Sequence, residues 1–167
     1  MADERRAERL DNTNENDTMN TGDGSVQNTG ASGAIPRSDV KRMDDHATQY
    51  YEQIRQRTTD VDAIAKNTGL SIEDVQSVKN HVFIERHDLG RKNPTRFDPS
   101  YDMAVSWQRL IDGRDIQEMD MVLLKHELHE LRLMAQGAGY RDAHIQAELL
   151  YNYSQFVQAL NLKEGVR

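Results

Sequence analysis

From Val40 onward, apolar residues return every three or four positions and hardly ever alternate, which constrains the fold more than any other feature of the chain. Val40, Met43, Ala47, Tyr50 and Ile54 share one face of a helix. A second helix is expected over about 60–67, stopped at Gly69. "SIED" at 71–74 is a capping box: the Ser71 hydroxyl can accept the N–H three residues on, and Asp74 stands where Glu is usual. Val75, Val78 and Val82 then line a third helix. Asp98 before Pro99 predicts an N-cap with proline at the first helical position, and Gly113 ends the stripe of Met103, Trp107, Leu110 and Ile111. Asp115 with Glu118 predicts a further capping box, opening a long helix over about 116–136 that "GAG" at 137–139 closes. A last helix is expected over about 140–160. Residues 86–98, with Gly90 and Pro94, read as a loop, and only "HVFIE" at 81–85 has any strand character. The expected fold is all-α, about six helices ending in an antiparallel helical hairpin.

The rhythm is absent before residue 37. Residues 11–36 are Asn, Thr, Gly, Ser and Asp with almost nothing to bury, so they cannot offset the entropy of becoming ordered. Residues 1–36 are therefore expected to be a disordered tail, with a short charged helix near its start, and residues 37–167 the folded domain. The opening "MADERRAERL" has no apolar core, so no signal peptide is expected, and no apolar run approaches the roughly 20 residues of a membrane span. The chain has no cysteine, which rules out disulfides, thiolate metal sites and a cysteine nucleophile. The net charge is −7; residues 1–36 carry 3 basic and 7 acidic side chains, leaving 18 and 21 for the domain. A domain so balanced is not a general polyanion binder.

The densest chemistry is "LLKHELHELRLM" at 123–134. At about 100° per residue, Leu124, Leu128, Leu131 and Ala135 form one face and His129 falls on the solvated arc. His126, Glu127 and Glu130 fall among Met119, Leu123, Leu133 and Met134. A carboxylate in such company must find a partner or have its pKa raised, and either outcome suits a general acid, a general base or a metal ligand. The spacing is HExxE rather than the HExxH of metalloproteases, so His126 and Glu130 alone are a weak pair of ligands for a divalent metal. "AHIQAELLYNYS" at 143–154 puts His144 and Tyr151 on a face with small alanines. By residue rise across the "GAG" turn, Glu130 is level with His144 and His126 with Tyr151. The competing reading of these residues is a buried polar network that only sets the register of the two helices. Arg96, in a basic loop with Arg86, His87, Arg91 and Lys92, and Arg109 are candidate phosphate holders; Arg109 is also a candidate counter-ion for Glu127 or Glu130. Trp107 reads as core. Residues 61–82 look like a helix-turn-helix, but the reading end, "IEDVQS", is acidic where DNA readers present basic or amide side chains.

Several blocks in order, "IPRSDVKRMDDHATQYYEQIR", "DVDAIAKNTGLSIEDVQSVKNHVFIERHDLG", "RFDPSYDMAVSWQRLIDG", "LLKHELHELRLMAQG" and "AHIQAELLYNY", resemble C-terminal domains of phage minor head (head-morphogenesis) proteins and polymorphic toxins of Gram-positive bacteria. The resemblance covers about residues 35–155. It implies an effector or toxin-like module carried by a phage, prophage or secretion system, acting in the bacterial cytoplasm or delivered with a virion or as a secreted effector. Head or portal components and a cognate immunity protein are the partners it implies. No head-protein domain precedes the tail, so the chain is expected to be either an excerpt or a free-standing version. Three readings follow. The first is a hydrolase, with a nucleic acid phosphodiester favoured: His126 and Glu130 would be acid and base or metal ligands, Glu127 and His144 would support them, and Arg96, Arg109 and Tyr151 would bind substrate. The second is a non-enzymatic interaction module: a DNA-binding, phage structural or anti-defence protein. The third, a zinc hydrolase, needs a third ligand beside His126 and Glu130.

Overall fold

The computed structural model describes residues 34–165. The expected tail and its short charged helix lie outside these residues up to position 33. The described residues form seven α-helices: α1 (Val40–Gln56), α2 (Asp60–Thr68), α3 (Ile72–Lys79), α4 (Tyr101–Asp112), α5 (Glu118–Ala135), α6 (Tyr140–Leu150) and α7 (Tyr153–Lys163). A single π-turn, Asn80–Ile84, prolongs α3. Among the described residues there is no strand, only one antiparallel bridge between His87 and Thr95 that pins the 86–98 loop. None of the helices is long and apolar enough to cross a membrane.

The core is built where the stripes meet. Tyr50, Tyr51 and Ile54 of α1, Val61 and Ile64 of α2, and Val75 and Val78 of α3 close on Trp107 and Leu110 of α4 and Leu124 and Leu128 of α5. Val40, the first residue of the α1 stripe, is 59% exposed and lies outside this core. Trp107 is buried as expected, and its indole N–H donates to Asp60 at 3.1 Å. Asp60 also accepts from the buried Lys79 ammonium at 2.8 Å, which locks α2 to α3 and α4. The α2–α3 pair is thus held from within by a charge pair.

Four features differ from the sequence expectation. Ser71 caps α3 as read, accepting from Asp74 N–H at 3.0 Å. Asp98 does not cap α4: its carboxylate pairs with Arg91, and Ser100, two residues later, accepts from Met103 N–H. The box at α5 is shifted by two residues. Asp120 accepts from the Gln117 N–H at 2.8 Å, while Asp115 sits at φ 56°, a left-handed conformation that a short polar side chain tolerates. "HVFIE" is no strand. The Glu85 N–H reaches back five residues to Asn80 O at 2.8 Å, so the helix widens before it stops. The helix expected over 140–160 is two helices, because the Asn152 side chain caps α7 by accepting from Gln155 N–H at 2.9 Å.

Arg37 anchors the N-terminal approach. It is buried, its guanidinium meets both oxygens of Asp102 at 2.7 and 2.8 Å, and its N–H donates to Glu164. The charged face of α4 therefore turns to α7 and the chain's approach to α1, with Ser106 in contact with the Tyr153 hydroxyl at 3.2 Å.

Candidate functional site

α5 is the central helix, packed on α3, α4, α6, α7 and the π-turn. The wheel placed His126, Glu127 and Glu130 among apolar neighbours, and they are 2%, 8% and 1% exposed. His129 is partly covered, with its ring 6.1 Å from that of Tyr151.

Glu130 is the hub. One carboxylate oxygen accepts from His81 Nε2 at 2.9 Å; the other accepts from His144 Nδ1 at 2.7 Å and lies 3.4 Å from His126 Nε2. His126 Nε2 and His144 Nδ1 are 3.2 Å apart. On its far side His126 Nδ1 donates to the Tyr151 carbonyl at 2.9 Å, with Glu148 Oε2 at 3.3 Å. A carbonyl only accepts, so Nδ1 carries a hydrogen and Nε2 faces the Glu130–His144 side. Going back from Glu130 to His126 along α5 corresponds to going forward from His144 to Glu148 along α6, the order of two helices running in opposite senses.

The expected contact of Glu130 with His144 is present. His126 and Tyr151 also meet, but through the Tyr151 main chain. At the break between α6 and α7 that carbonyl accepts from both the Tyr153 N–H, at 2.9 Å, and the imidazole, and the phenol ring lies against His129 instead. Arg109 is not the counter-ion of Glu127 or Glu130. Its guanidinium is buried against both oxygens of Asp120, at 2.8 and 2.5 Å. Arg96 is exposed and donates to the Ile84 carbonyl. Neither arginine lines the pocket beside the cluster.

That pocket holds about 390 Å³. Glu127, Glu130 and His144 form its ionisable side, and Leu89, Phe97, Met103 and Tyr140 its apolar side. Arg91 stands at it as an ion pair with Asp98. Phe97 stacks on His87, whose Nε2 donates to the His81 carbonyl at 2.7 Å. His81 is not among the sequence candidates, and His87 enters there only as part of the basic loop; the π-turn and the His87–Thr95 bridge bring these rings to α5. The one available hint was a histidine three residues after Val78 and one before Val82, inside an apolar stripe.

Glu127 and Glu130 sit in opposed electrostatic settings. Burial raises the Glu127 carboxyl to about 7, with the Glu130 charge adding to the effect. Burial also works against the Glu130 carboxylate, but hydrogen bonds from His126, His144 and His81 outweigh it and hold Glu130 below the ordinary range. His126 is raised to about 9: burial opposes its charge, while Glu130, Glu127 and the Tyr151 carbonyl favour it. His144 is raised by its bond to Glu130. Burial, then the two carboxylates, push Tyr140 up to about 12. Two adjacent carboxyls driven apart in this way can divide acid and base work between them.

No protein-family model, no curated protein and no solved structure matches this chain.

Proposed function

We propose that the domain is a hydrolase, the effector-like part of a phage- or mobile-element-associated protein, with its active centre in the pocket beside α5 and α6. The observation that carries this reading is Glu127. Its carboxyl lines the pocket, yet its ion-pair neighbour, His81 Nε2, is 3.8 Å away. A buried acid without a close partner is costly in a structural network, whereas a group that takes a proton from water needs that freedom. Glu130, His126 and His144 lie beside it as a fixed, charged frame. Glu127 is accordingly the general base, and His144, with its side chain 42% exposed, is the imidazole within reach of substrate.

A phosphodiester is the first substrate class, as expected of a toxin-like effector, with Arg91 the guanidinium at the pocket in place of Arg96 and Arg109. The apolar side formed by Leu89, Phe97, Met103 and Tyr140 favours a second class, an amide bond in an extended peptide. An interaction module would need an exposed face without converging ionisable groups; the first turn of α3, with Glu73 and Asp74, offers DNA no basic contact. If the domain is toxic, a cognate immunity protein accompanies it.

The test is expression of the full chain and its Glu127→Gln variant in a bacterial host, following growth, RNA, DNA and the proteome. Arrest by the wild type alone, with degraded nucleic acid, supports the phosphodiester reading. Arrest with intact nucleic acid and cleaved proteins supports the amide. Equal growth of both, with both proteins folded, overturns the hydrolase.

A further inference from the structure

Three ligand atoms from three residues converge beside the pocket: His126 Nε2, Glu130 Oε2 and His144 Nδ1, separated by 3.4, 3.2 and 2.7 Å. The point equidistant from them in their plane lies about 1.8 Å from each. A cation bonded at roughly 2.1 Å to all three therefore sits about 1 Å out of that plane, with angles between ligands of about 80° to 110°, and caps a three-cornered face whose other side stays open. One proton can be shared by two of these atoms at a time, while a metal ion uses all three lone pairs at once.

The surroundings are those of a metal site as well. His126 Nδ1 donates to the Tyr151 carbonyl and faces Glu148 Oε2, whose oxygen has no hydrogen bond of its own. Such an acceptor on the far nitrogen fixes the tautomer that leaves Nε2 free to bind metal. The second oxygen of Glu130 is held by His81 Nε2, and His81 is held in turn through its carbonyl by His87. Each of the two buried ligands is thus oriented by a neighbour on its far side. Two adjoining donor sets are weaker. In His81, Glu127 and Glu130, only one imidazole is offered and His81 Nε2 stands 3.8 Å from Glu127; in His126, His144 and Glu148, the glutamate sits at the wrong nitrogen of His126.

We propose that His126, Glu130 and His144 bind a divalent first-row transition metal ion, with the fourth position open to the pocket. Two imidazoles and one carboxylate with an open position is a ligand set that zinc uses in hydrolytic sites, and iron(II) accepts the same set. Glu127, next in sequence to a ligand and lining the pocket, then stands beside a metal-bound water. The inference deepens the hydrolase reading of this pocket, and its test does not depend on activity.

The full chain, stripped with a chelator, is titrated with zinc chloride by calorimetry, with manganese, cobalt and anaerobic iron(II) in parallel. One ion per chain is expected. His144→Ala and Glu130→Gln should weaken binding by about tenfold or more, and Glu127→Gln, which removes a nearby charge but no ligand, should weaken it less than either. Circular dichroism checks that each variant is helical. X-ray absorption on the zinc-loaded wild type needs no variant: imidazole and oxygen at roughly 2.0–2.2 Å are expected. Failure of all four ions to bind, a first shell without imidazole, or His144→Ala binding like wild type overturns the site. Metal held by these residues in a chain that hydrolyses nothing overturns the hydrolase and leaves the site standing; activity in a chain that binds no metal does the reverse.

Discussion

His144 Nδ1 lies 2.7 Å from Glu130 Oε2, so a contact spanning 14 residues joins α5 to α6 at the edge of the pocket. The same carboxylate accepts from His81, 49 residues earlier in the chain. One side chain thereby ties the π-turn, α5 and α6 together, and the neighbouring Glu127 is left facing the pocket.

Glu127→Gln keeps the size of the side chain and removes the proton acceptor. Activity, read as growth arrest or as turnover of the cleaved polymer, should fall by about 10²–10⁴-fold, the ordinary contribution of a general base. The melting temperature should stay within a few degrees of wild type, because Glu127 makes no close polar contact that the amide would break.

Asp60 is buried between the Lys79 ammonium and the Trp107 indole N–H. Asp60→Ala leaves the ammonium buried and uncompensated, and urea unfolding should show a loss of about 3–5 kcal/mol. Asp60→Ala with Lys79→Met removes both charges and should recover most of that loss. A double variant no more stable than the single one would show that Asp60 acts mainly through Trp107.

Gly113 and Gly69 both end helices at positive φ, +68° and +77°. A Cβ on Gly69 meets nothing within 4 Å, whereas one on Gly113 meets the Asn67 side chain at 2.7 Å. Asn67 donates to the Leu110 and Ile111 carbonyls at the end of α4. Gly69→Ala should cost about 1–2 kcal/mol from the left-handed backbone alone. Gly113→Ala should cost more in the same denaturation assay, by about the 1 kcal/mol of the hydrogen bonding it displaces.

His46 is half-buried, with its ring 5.7 Å from Tyr50 and 5.6 Å from Tyr101. Burial lowers its pKa below the ordinary 6.5, so folding favours the neutral ring. Its stabilising contribution is fully present above pH 6.5 and is lost as the pH falls below that value, where the unfolded chain takes up the proton first. His46→Gln should therefore flatten the fall in urea midpoint between about pH 7 and 5 relative to wild type. Parallel curves for the two proteins would exclude His46 as the source.

The helical rhythm, the caps and the glycine stops were enough to read an all-helical domain, because they depend on neighbours three or four residues apart. The same period put His126, Glu127 and Glu130 on the buried side of α5 and His129 toward solvent, and residue rise alone paired Glu130 with His144. Where two polar residues competed for one cap, local rules chose wrongly. Asp98 and Asp115 are good N-caps in isolation, but Arg91 takes the first and the Asp120–Arg109 pair sets the second boundary. The partners of the hub came only with the tertiary structure. His81 reaches Glu130 through a π-turn, a two-residue bridge sets His87 against the His81 carbonyl, and a helix break brings the Tyr151 carbonyl to His126. Each depends on contacts between residues far apart in the chain, whose energies no local period encodes. Helical spacing alone was enough to place His126, Glu127 and Glu130 on the buried side of α5. Tertiary packing decided that three histidines would surround Glu130, that Arg96 and Arg109 would lie away from the pocket, and that Glu127 would face it without a close partner.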